Sequence, residues 1–219
     1  NMNIAVVGTG YVGLVSGACF SDVGVDVTCI DIDENNIINL QNGIIPIYEP
    51  GLKELVTRNS LAGRLHFTTD LVKCLDNIDI LFLAVGTPPM EDGSADLSHV
   101  LNVSATVGKY LNKYILIVNK STVPVGTARL IKETISSEMT VRARSVKFDV
   151  ASNPEFLKEG SAIKDFMSPD RIIVGTDSEN AREMLDRLYR PFMMNNYRLI
   201  HMDIQSAEMT KYASNAMLA

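Results

Sequence analysis

The sequence predicts an α/β fold of the Rossmann-like, doubly wound type, built on a mostly parallel sheet. Three observations carry this. A glycine motif, Gly8-Thr9-Gly10-Tyr11-Val12-Gly13, stands between an apolar strand-like run at 4–7 and a helix-like run at 14–23. A second strand-like run at 25–30 ends in Asp31. From there on, short apolar runs alternate with longer helical ones, as successive βαβ units with right-handed crossovers require.

The glycine motif has meaning only in this strand–turn–helix setting. Its first glycine permits the tight turn, its second lets backbone approach a pyrophosphate, and its third lets helix and strand pack closely. The helix start then offers free N–H groups and a positive dipole end to phosphates. Asp31 lies about 20 residues beyond, where an acid binds the hydroxyls of an adenosine ribose. An acid there repels a 2′-phosphate, so the pattern favours NAD over NADP. The competing reading is a tight turn with an incidental Asp. It has to explain away the agreement of strand, turn, helix, strand and acid.

The remaining elements follow in order. Residues 34–40 read as helix, stopping near Asn42-Gly43. Residues 44–51 form a proline-punctuated loop, 52–59 a helix and 65–68 a short strand, and Thr69-Asp70 opens a further helical turn. A buried strand at 78–85 runs into Gly86-Thr87-Pro88-Pro89, and a polar loop at 90–94 precedes a helix at 96–111. Then come a strand at 115–118, a helix at 124–137 and a strand at 148–151. Strands at 171–174 and 198–201 flank a helix at 178–189, and a last helix runs on from Asp203. Ligands of such sheets bind beyond the carboxyl ends of the strands. The glycine motif, Asp31, residues 86–89, Ser121-Thr122 and residues 153–159 all fall there.

Composition narrows the class. The 219 residues carry a net charge of −6, which argues against nonspecific nucleic-acid binding. No apolar run has membrane-span length and no signal-peptide pattern opens the chain, so a cytoplasmic location with no membrane partner is expected. Cys19, Cys29 and Cys74 have no metal-ligand spacing, so no metal site is expected. Their odd number fits reduced thiols, and the first two read as small core residues.

Four segments are candidates for chemistry, each with a bland alternative. Thr87 and Pro88 stand at a strand exit that either is simply rigid or carries backbone and hydroxyl groups to a cofactor. Ser121 and Thr122 precede Pro124, so a hydroxyl either caps a helix with Pro in its first turn or holds a water or substrate oxygen at the strand end. Asn153 can likewise cap a short helix begun by Pro154. A helical turn there puts Glu155 and Glu159 on one face, either to complement the dipole or to divide general-base and positioning roles. In the last helix Glu208, Lys211 and Asn215 form a polar stripe. It is either a solvated face with one Glu–Lys pair or the seat of a Lys that stabilises an oxyanion.

Together these segments resemble the UDP-glucose/GDP-mannose dehydrogenase family. The resemblance spans essentially the whole chain. It rests on the Gly8–Gly13 motif, Pro46-Ile47-Tyr48-Glu49-Pro50-Gly51-Leu52 and Gly86-Thr87-Pro88-Pro89. It continues in Ser121-Thr122-Val123-Pro124-Val125-Gly126, Asn153-Pro154-Glu155-Phe156-Leu157-Lys158-Glu159-Gly160 and Lys211-Tyr212-Ala213-Ser214-Asn215. Such a family member oxidises the C6 alcohol of a nucleotide sugar such as UDP-glucose to a carboxylate, using two NAD. The resemblance implies that Gly8, Gly10, Tyr11, Val12, Gly13, Asp31, Thr87, Pro88, Ser121, Thr122 and Glu159 contact NAD. It implies a catalytic set of Thr122, Glu155, Lys211 and Asn215. Substrate would lie along Glu155, Phe156, Leu157, Lys158, Lys211 and Asn215.

Two departures bear on this. The family often has Lys in the turn after the ribose-binding acid, where this chain reads Glu34-Asn35-Asn36. The family's nucleophilic Cys lies in a loop beyond residue 219, and none of the three cysteines here has that context. The expected organisation is therefore an NAD-binding domain over 1–202 and the start of an interrupted central helix over 203–219. A substrate domain and a homodimer contact through that helix would lie outside the chain. The fragment is expected to bind NAD without completing the reaction. The alternatives are a GDP-mannose or UDP-N-acetylmannosamine dehydrogenase, or, in another class, a non-catalytic NAD-responsive binding module.

Overall fold

The computed structural model describes residues 1–194 and 198–218, except the side chains of Asn215, Ala216 and Leu218. Its strands are β1 (Asn3–Val7), β2 (Asp26–Ile30), β3 (Leu65–Thr68), β4 (Ile80–Leu83), β5 (Ile115–Asn119), β6 (Phe148–Ser152), β7 (Arg171–Gly175) and β8 (Arg198–Met202). Its helices are α1 (Tyr11–Asp22), α2 (Glu34–Gln41), α3 (Leu52–Leu61), α4 (Leu71–Cys74), α5 (Ser98–Tyr110), α6 (Thr127–Val141), α7 (Ala162–Met167), α8 (Glu179–Tyr189) and α9 (Ile204–Leu218). A 3-10 turn at Arg190–Met193 follows α8.

The strands form one sheet in the order β3-β2-β1-β4-β5-β6-β7-β8. All neighbours run parallel except β6 and β7, which meet antiparallel at Ser152 and Gly175. The direction of winding reverses between β1 and β4, and the carboxyl ends of those strands open the crevice described below. Successive residues of β1 feed opposite layers. Ile4 and Val6 pack with α1, α2, α3, α7 and α8, whereas Ala5 and Val7 pack with α5 and α6. Helices on both faces explain why the central strands read as continuous apolar runs instead of alternating ones.

Helix α1 is buried along almost its whole length, from Gly13 to Ser21, as a helix wedged between sheet and neighbours must be. Its Phe20 stands at the centre of an aromatic cluster, with Phe82 at 5.2 Å, Phe166 at 5.1 Å and Tyr189 at 5.5 Å between ring centroids. These offset and edge-on contacts contribute roughly 0.5–1.5 kcal/mol each beyond area burial. The cluster also ties α1 to α7 and α8, under the floor of the site.

Two expected helix starts are corrected. The helix expected from 124 begins at Thr127, after Gly126 at φ +98°. A left-handed residue there ends any cap formed by Ser121 or Thr122. The Ser121 hydroxyl instead donates to the carbonyls of Val85 at 2.8 Å and Leu83 at 3.3 Å, stitching the ends of β4 and β5. No helix starts at Pro154 either: the Asn153 Oδ1 that would cap it accepts instead from Lys120 Nζ at 3.0 Å and from the Tyr189 hydroxyl, and its Nδ2 donates to Ile173 O at 2.9 Å. Glu155 and Glu159 thus do not share a helical face, and α7 begins only at Ala162.

Candidate active site

Gly8 and Gly13 are demanded by close backbone approach. A Cβ on Gly13 would stand 1.8 Å from Gly8 O, and one on Gly8 would stand 2.3 Å from Ala84 O. Gly8 also sits at φ +110°, where a side chain is strained. Gly10 differs: nothing lies within 4 Å of where its Cβ would be. That free space beside the α1 N-terminus is where a phosphate group fits.

The glycine loop forms one wall of a crevice of about 820 Å³ at the carboxyl ends of β1, β2, β4 and β5. Gly8, Gly10, Tyr11, Val12 and Asp31 line it on one side. Thr87, Pro88, Ser121, Thr122 and Glu155 line it on the other. His99, Asn102 and Val103 of α5, which the sequence reasoning missed, complete it. Gly13 sits behind the loop and shapes it from within. Asp31 Oδ2 accepts from Thr9 N at 3.0 Å and from the Thr9 hydroxyl at 2.6 Å, and Oδ1 accepts from Asp33 N at 3.0 Å. Asn36, in place of the family's frequent Lys, donates through Nδ2 to the Thr9 hydroxyl oxygen at 2.8 Å. It therefore supports Asp31 through Thr9 and adds no cation to the crevice. The Thr87 hydroxyl donates to Thr122 O at 2.7 Å, fixing the two strand exits against each other.

A second cavity of about 460 Å³ lies behind the first, lined by Phe156, Leu157 and Lys158 with Lys164 and Arg171. Lys120 and Glu155 line both cavities, so they stand in the shared wall. Glu155 keeps its turn by accepting from Leu157 N through Oε2 at 2.7 Å. Lys211, from α9, donates to the Glu155 carbonyl at 2.7 Å and stands 3.3 Å from Oε1. Both side chains are largely buried, 16 % and 12 % exposed, and Lys211 also lies 5.4 Å from the Phe156 ring centroid. Glu159 is exposed and lines neither cavity. The Asn215 side chain lies outside the described residues.

The polar stripe on α9 is divided between two tasks. Glu208 does not pair with Lys211. It accepts from Gly126 N at 3.1 Å and Ala128 N at 3.2 Å, capping α6 from across the fold. Burial holds its carboxyl above the usual range, although the α6 amides pull it down. Glu49 does the same for α7, accepting from Gly160 N at 2.6 Å and Ala162 N at 3.4 Å. It thereby pins the far end of the 153–160 segment.

Tyr11 presents a buried hydroxyl with no hydrogen-bond partner among the described residues. Burial raises its pKa, with Glu49, Glu155, Glu159 and Asp165 adding to the effect. The phenol thus stays neutral beside those carboxylates. No cysteine is placed as a nucleophile. Burial pushes the Cys29 thiol up to about 12 and raises Cys19 and Cys74 as well. Among the described residues no cluster of His, Cys, Asp or Glu is arranged to hold a metal. No helix in them is long and apolar enough to cross a membrane.

Comparisons with known proteins agree with this geometry. Residues 2–193 match the model of the NAD-binding domain of the UDP-glucose/GDP-mannose dehydrogenase family. UDP-glucose 6-dehydrogenase TuaD of Bacillus subtilis is 50% identical over 216 residues, covering 99% of this chain and 46% of that protein. The structure of a UDP-glucose dehydrogenase from Pyrobaculum islandicum superimposes with a TM-score of 0.92 at 40% identity, over 100% of this chain and 50% of that one. That of a GDP-mannose dehydrogenase from Pseudomonas aeruginosa gives a TM-score of 0.92 at 32% identity, over 99% and 50%. The chain spans about half the length of the curated relatives it matches.

Proposed function

The chain belongs to the UDP-glucose/GDP-mannose dehydrogenase family and is its NAD-binding domain; from that premise we propose that it is the NAD-binding half of a UDP-glucose 6-dehydrogenase, which converts UDP-glucose, two NAD and water to UDP-glucuronate and two NADH. The observation that carries the proposal is the Glu155 carboxylate in the wall common to the crevice and the rear cavity, with the Lys211 ammonium 3.3 Å from it. A reaction that moves hydride between two bound molecules needs its acid–base and charge-stabilising groups at such a boundary.

NAD, when bound, supplies the hydride acceptor. Gly8, Gly10, Tyr11 and Val12 would cradle its pyrophosphate, and Asp31 would take the adenosine ribose hydroxyls. Thr87, Pro88 and Ser121 shape the wall along the rest of the crevice. Thr122, lining the crevice with Glu155, would hold the water on which the alcohol proton leaves. Glu155 accepts that proton, and the Lys211 ammonium stabilises the oxyanion that forms. Phe156, Leu157 and Lys158 would flank the sugar and its phosphates in the rear cavity. Lys120, Lys158, Lys164 and Arg171 line that cavity together with Glu155, Asp165 and Asp170, so the bases narrowly outweigh the acids where the phosphates would lie.

The second oxidation needs a thiol to trap the aldehyde, which is then oxidised to a thioester and hydrolysed. With all three cysteines buried or held as thiols, that group would come from outside these residues. We assign residues 1–202 to cofactor binding and 203–219 to a helix that continues into a homodimer interface, in a cytoplasmic enzyme. NADH produced per UDP-glucose consumed by the full-length protein is the test. Two supports the reading, one indicates release of an aldehyde, and none with turnover of GDP-mannose or UDP-N-acetylmannosamine moves the assignment to a sister enzyme. NAD binding with no turnover of any nucleotide sugar leaves a binding module.

A further inference from the structure

Lys120 follows β5 directly and is 4 % exposed. Its backbone N–H donates to Leu83 O at 2.8 Å, which continues the ladder between β4 and β5. The ammonium lies near the aromatic cluster, 5.9 Å from the Phe82 centroid and 5.7 Å from that of Phe166. Among the described residues no carboxylate is within ion-pair distance of it. Nζ donates instead to Asn153 Oδ1 at 3.0 Å and, at a long 3.4 Å, to the Tyr189 hydroxyl. That hydroxyl itself donates to the same Asn153 oxygen. A buried ammonium with only neutral partners is costly, and a Met of similar length would fill the same space without that cost. The aromatic faces and the shared amide oxygen offset part of the cost.

What the arrangement achieves lies two residues further along the chain. Asn153 is held on three sides: its N–H donates to Asn119 O at 2.9 Å, its Nδ2 to Ile173 O, and its Oδ1 receives Lys120 and Tyr189. Pro154 follows, and then Glu155, without any helix to fix their direction. We infer that Lys120 is a positioning residue: its ammonium, set in the wall between the two cavities, fixes Asn153 and so holds the Glu155 carboxylate against Lys211. Its consequence for turnover rests on the dehydrogenase reading; its coupling to Glu155 does not.

The charged neighbours make the inference measurable. Burial pulls the Lys120 ammonium down to about 8, Glu155 on the adjoining segment opposes that, and Lys211 on α9 reinforces it. The Tyr189 phenol on α8 stays neutral, its pKa raised by burial. Coupling between such groups is reciprocal, so a change at Glu155 must appear in the titration of Lys120.

The experiment is an NMR titration of the full-length protein without cofactor, carrying lysine labelled with 13C at the ε position. The Lys120 signal is identified by its loss in Lys120→Met or, should that variant not fold, by its displacement in Tyr189→Phe. The expected midpoint is about 8, moved down in Glu155→Gln and up in Lys211→Met. A midpoint at the ordinary lysine value, or one indifferent to Glu155→Gln, overturns the inference. Kinetics supply a second arm. Tyr189→Phe removes only the hydroxyl, and is expected to lower kcat about tenfold, leave KM for NAD within about twofold and move the alkaline limb of the pH profile to lower pH. An unchanged kcat and pH profile in that variant also overturns it. Absence of turnover in the unsubstituted protein sinks the dehydrogenase reading, and the titration still decides the coupling.

Discussion

Lys211 Nζ donates to the main-chain carbonyl of Glu155 at 2.7 Å and stands 3.3 Å from its carboxylate, although 56 residues separate the two. The ammonium is thus oriented by a fixed backbone oxygen, which does not move when the carboxylate changes its protonation state. Glu155→Gln and Lys211→Met are each expected to lower kcat roughly 100- to 1,000-fold while NAD affinity stays within about twofold. The double variant should be little worse than either single one, because the two act as a unit. Steady-state kinetics with a parallel NAD titration check this.

Gly13 and Gly10 should separate folding from binding. Gly13→Ala drives a methyl into the Gly8 carbonyl, and since both groups are backbone, a loss of roughly 2–4 kcal/mol of stability is expected. Gly10→Ala meets nothing within 4 Å and should leave the melting temperature unchanged. It nevertheless places a methyl in the loop that must approach a pyrophosphate, so NAD affinity should fall about tenfold or more. Thermal melts and NAD titrations of both variants give the comparison.

Glu208→Ala leaves the N–H groups of Gly126 and Ala128 without their acceptor, in a site only 3 % exposed. The expected cost is about 1–2 kcal/mol, the usual range for a lost helix cap. Hydrogen exchange should accelerate first at those two amides, before the rest of α6.

Lys120 imposes a pH dependence on stability. Folded, it releases its proton at about 8; unfolded, it holds it up to 10.5. The unfolded chain therefore binds more protons across that window, and stability rises with pH there, by at most about 1.4 kcal/mol per unit for one group. Relative to Lys120→Met, the unsubstituted protein should gain stability from pH 8 upward, measured by urea unfolding at several pH values.

Much of the fold was legible because local and global preferences agree. The strand at Leu65–Thr68 falls at its expected residues, and the glycine motif opens α1 after β1. The misplaced starts of α6 and α7 have one cause. Ser121 and Asn153 are sound capping residues whose side chains are claimed elsewhere, the Ser121 hydroxyl by Val85 O and the Asn153 Oδ1 by Lys120 and Tyr189. Sequence spacing cannot register such competition. The same holds for α9, where periodicity shows a polar stripe but the partners of Glu208 and Lys211 lie on other elements. Lys120 carried one signal that went unused: a charged residue two positions after the apolar run Ile115–Val118, at the sheet end where ligands bind.

The most direct measurement is a calorimetric titration of NAD into the protein and its Asp31→Ala variant. Asp31 accepts from Thr9 and Asp33 at the end of β2, on the wall of the crevice, so its removal also frees those donors, and a thermal melt of the variant separates loss of loop order from loss of the ribose contact. One NAD per chain is predicted, with affinity falling about tenfold in the variant and discrimination against NADP narrowing. Absence of binding, or binding indifferent to Asp31, would contradict the placement of the cofactor on the glycine loop.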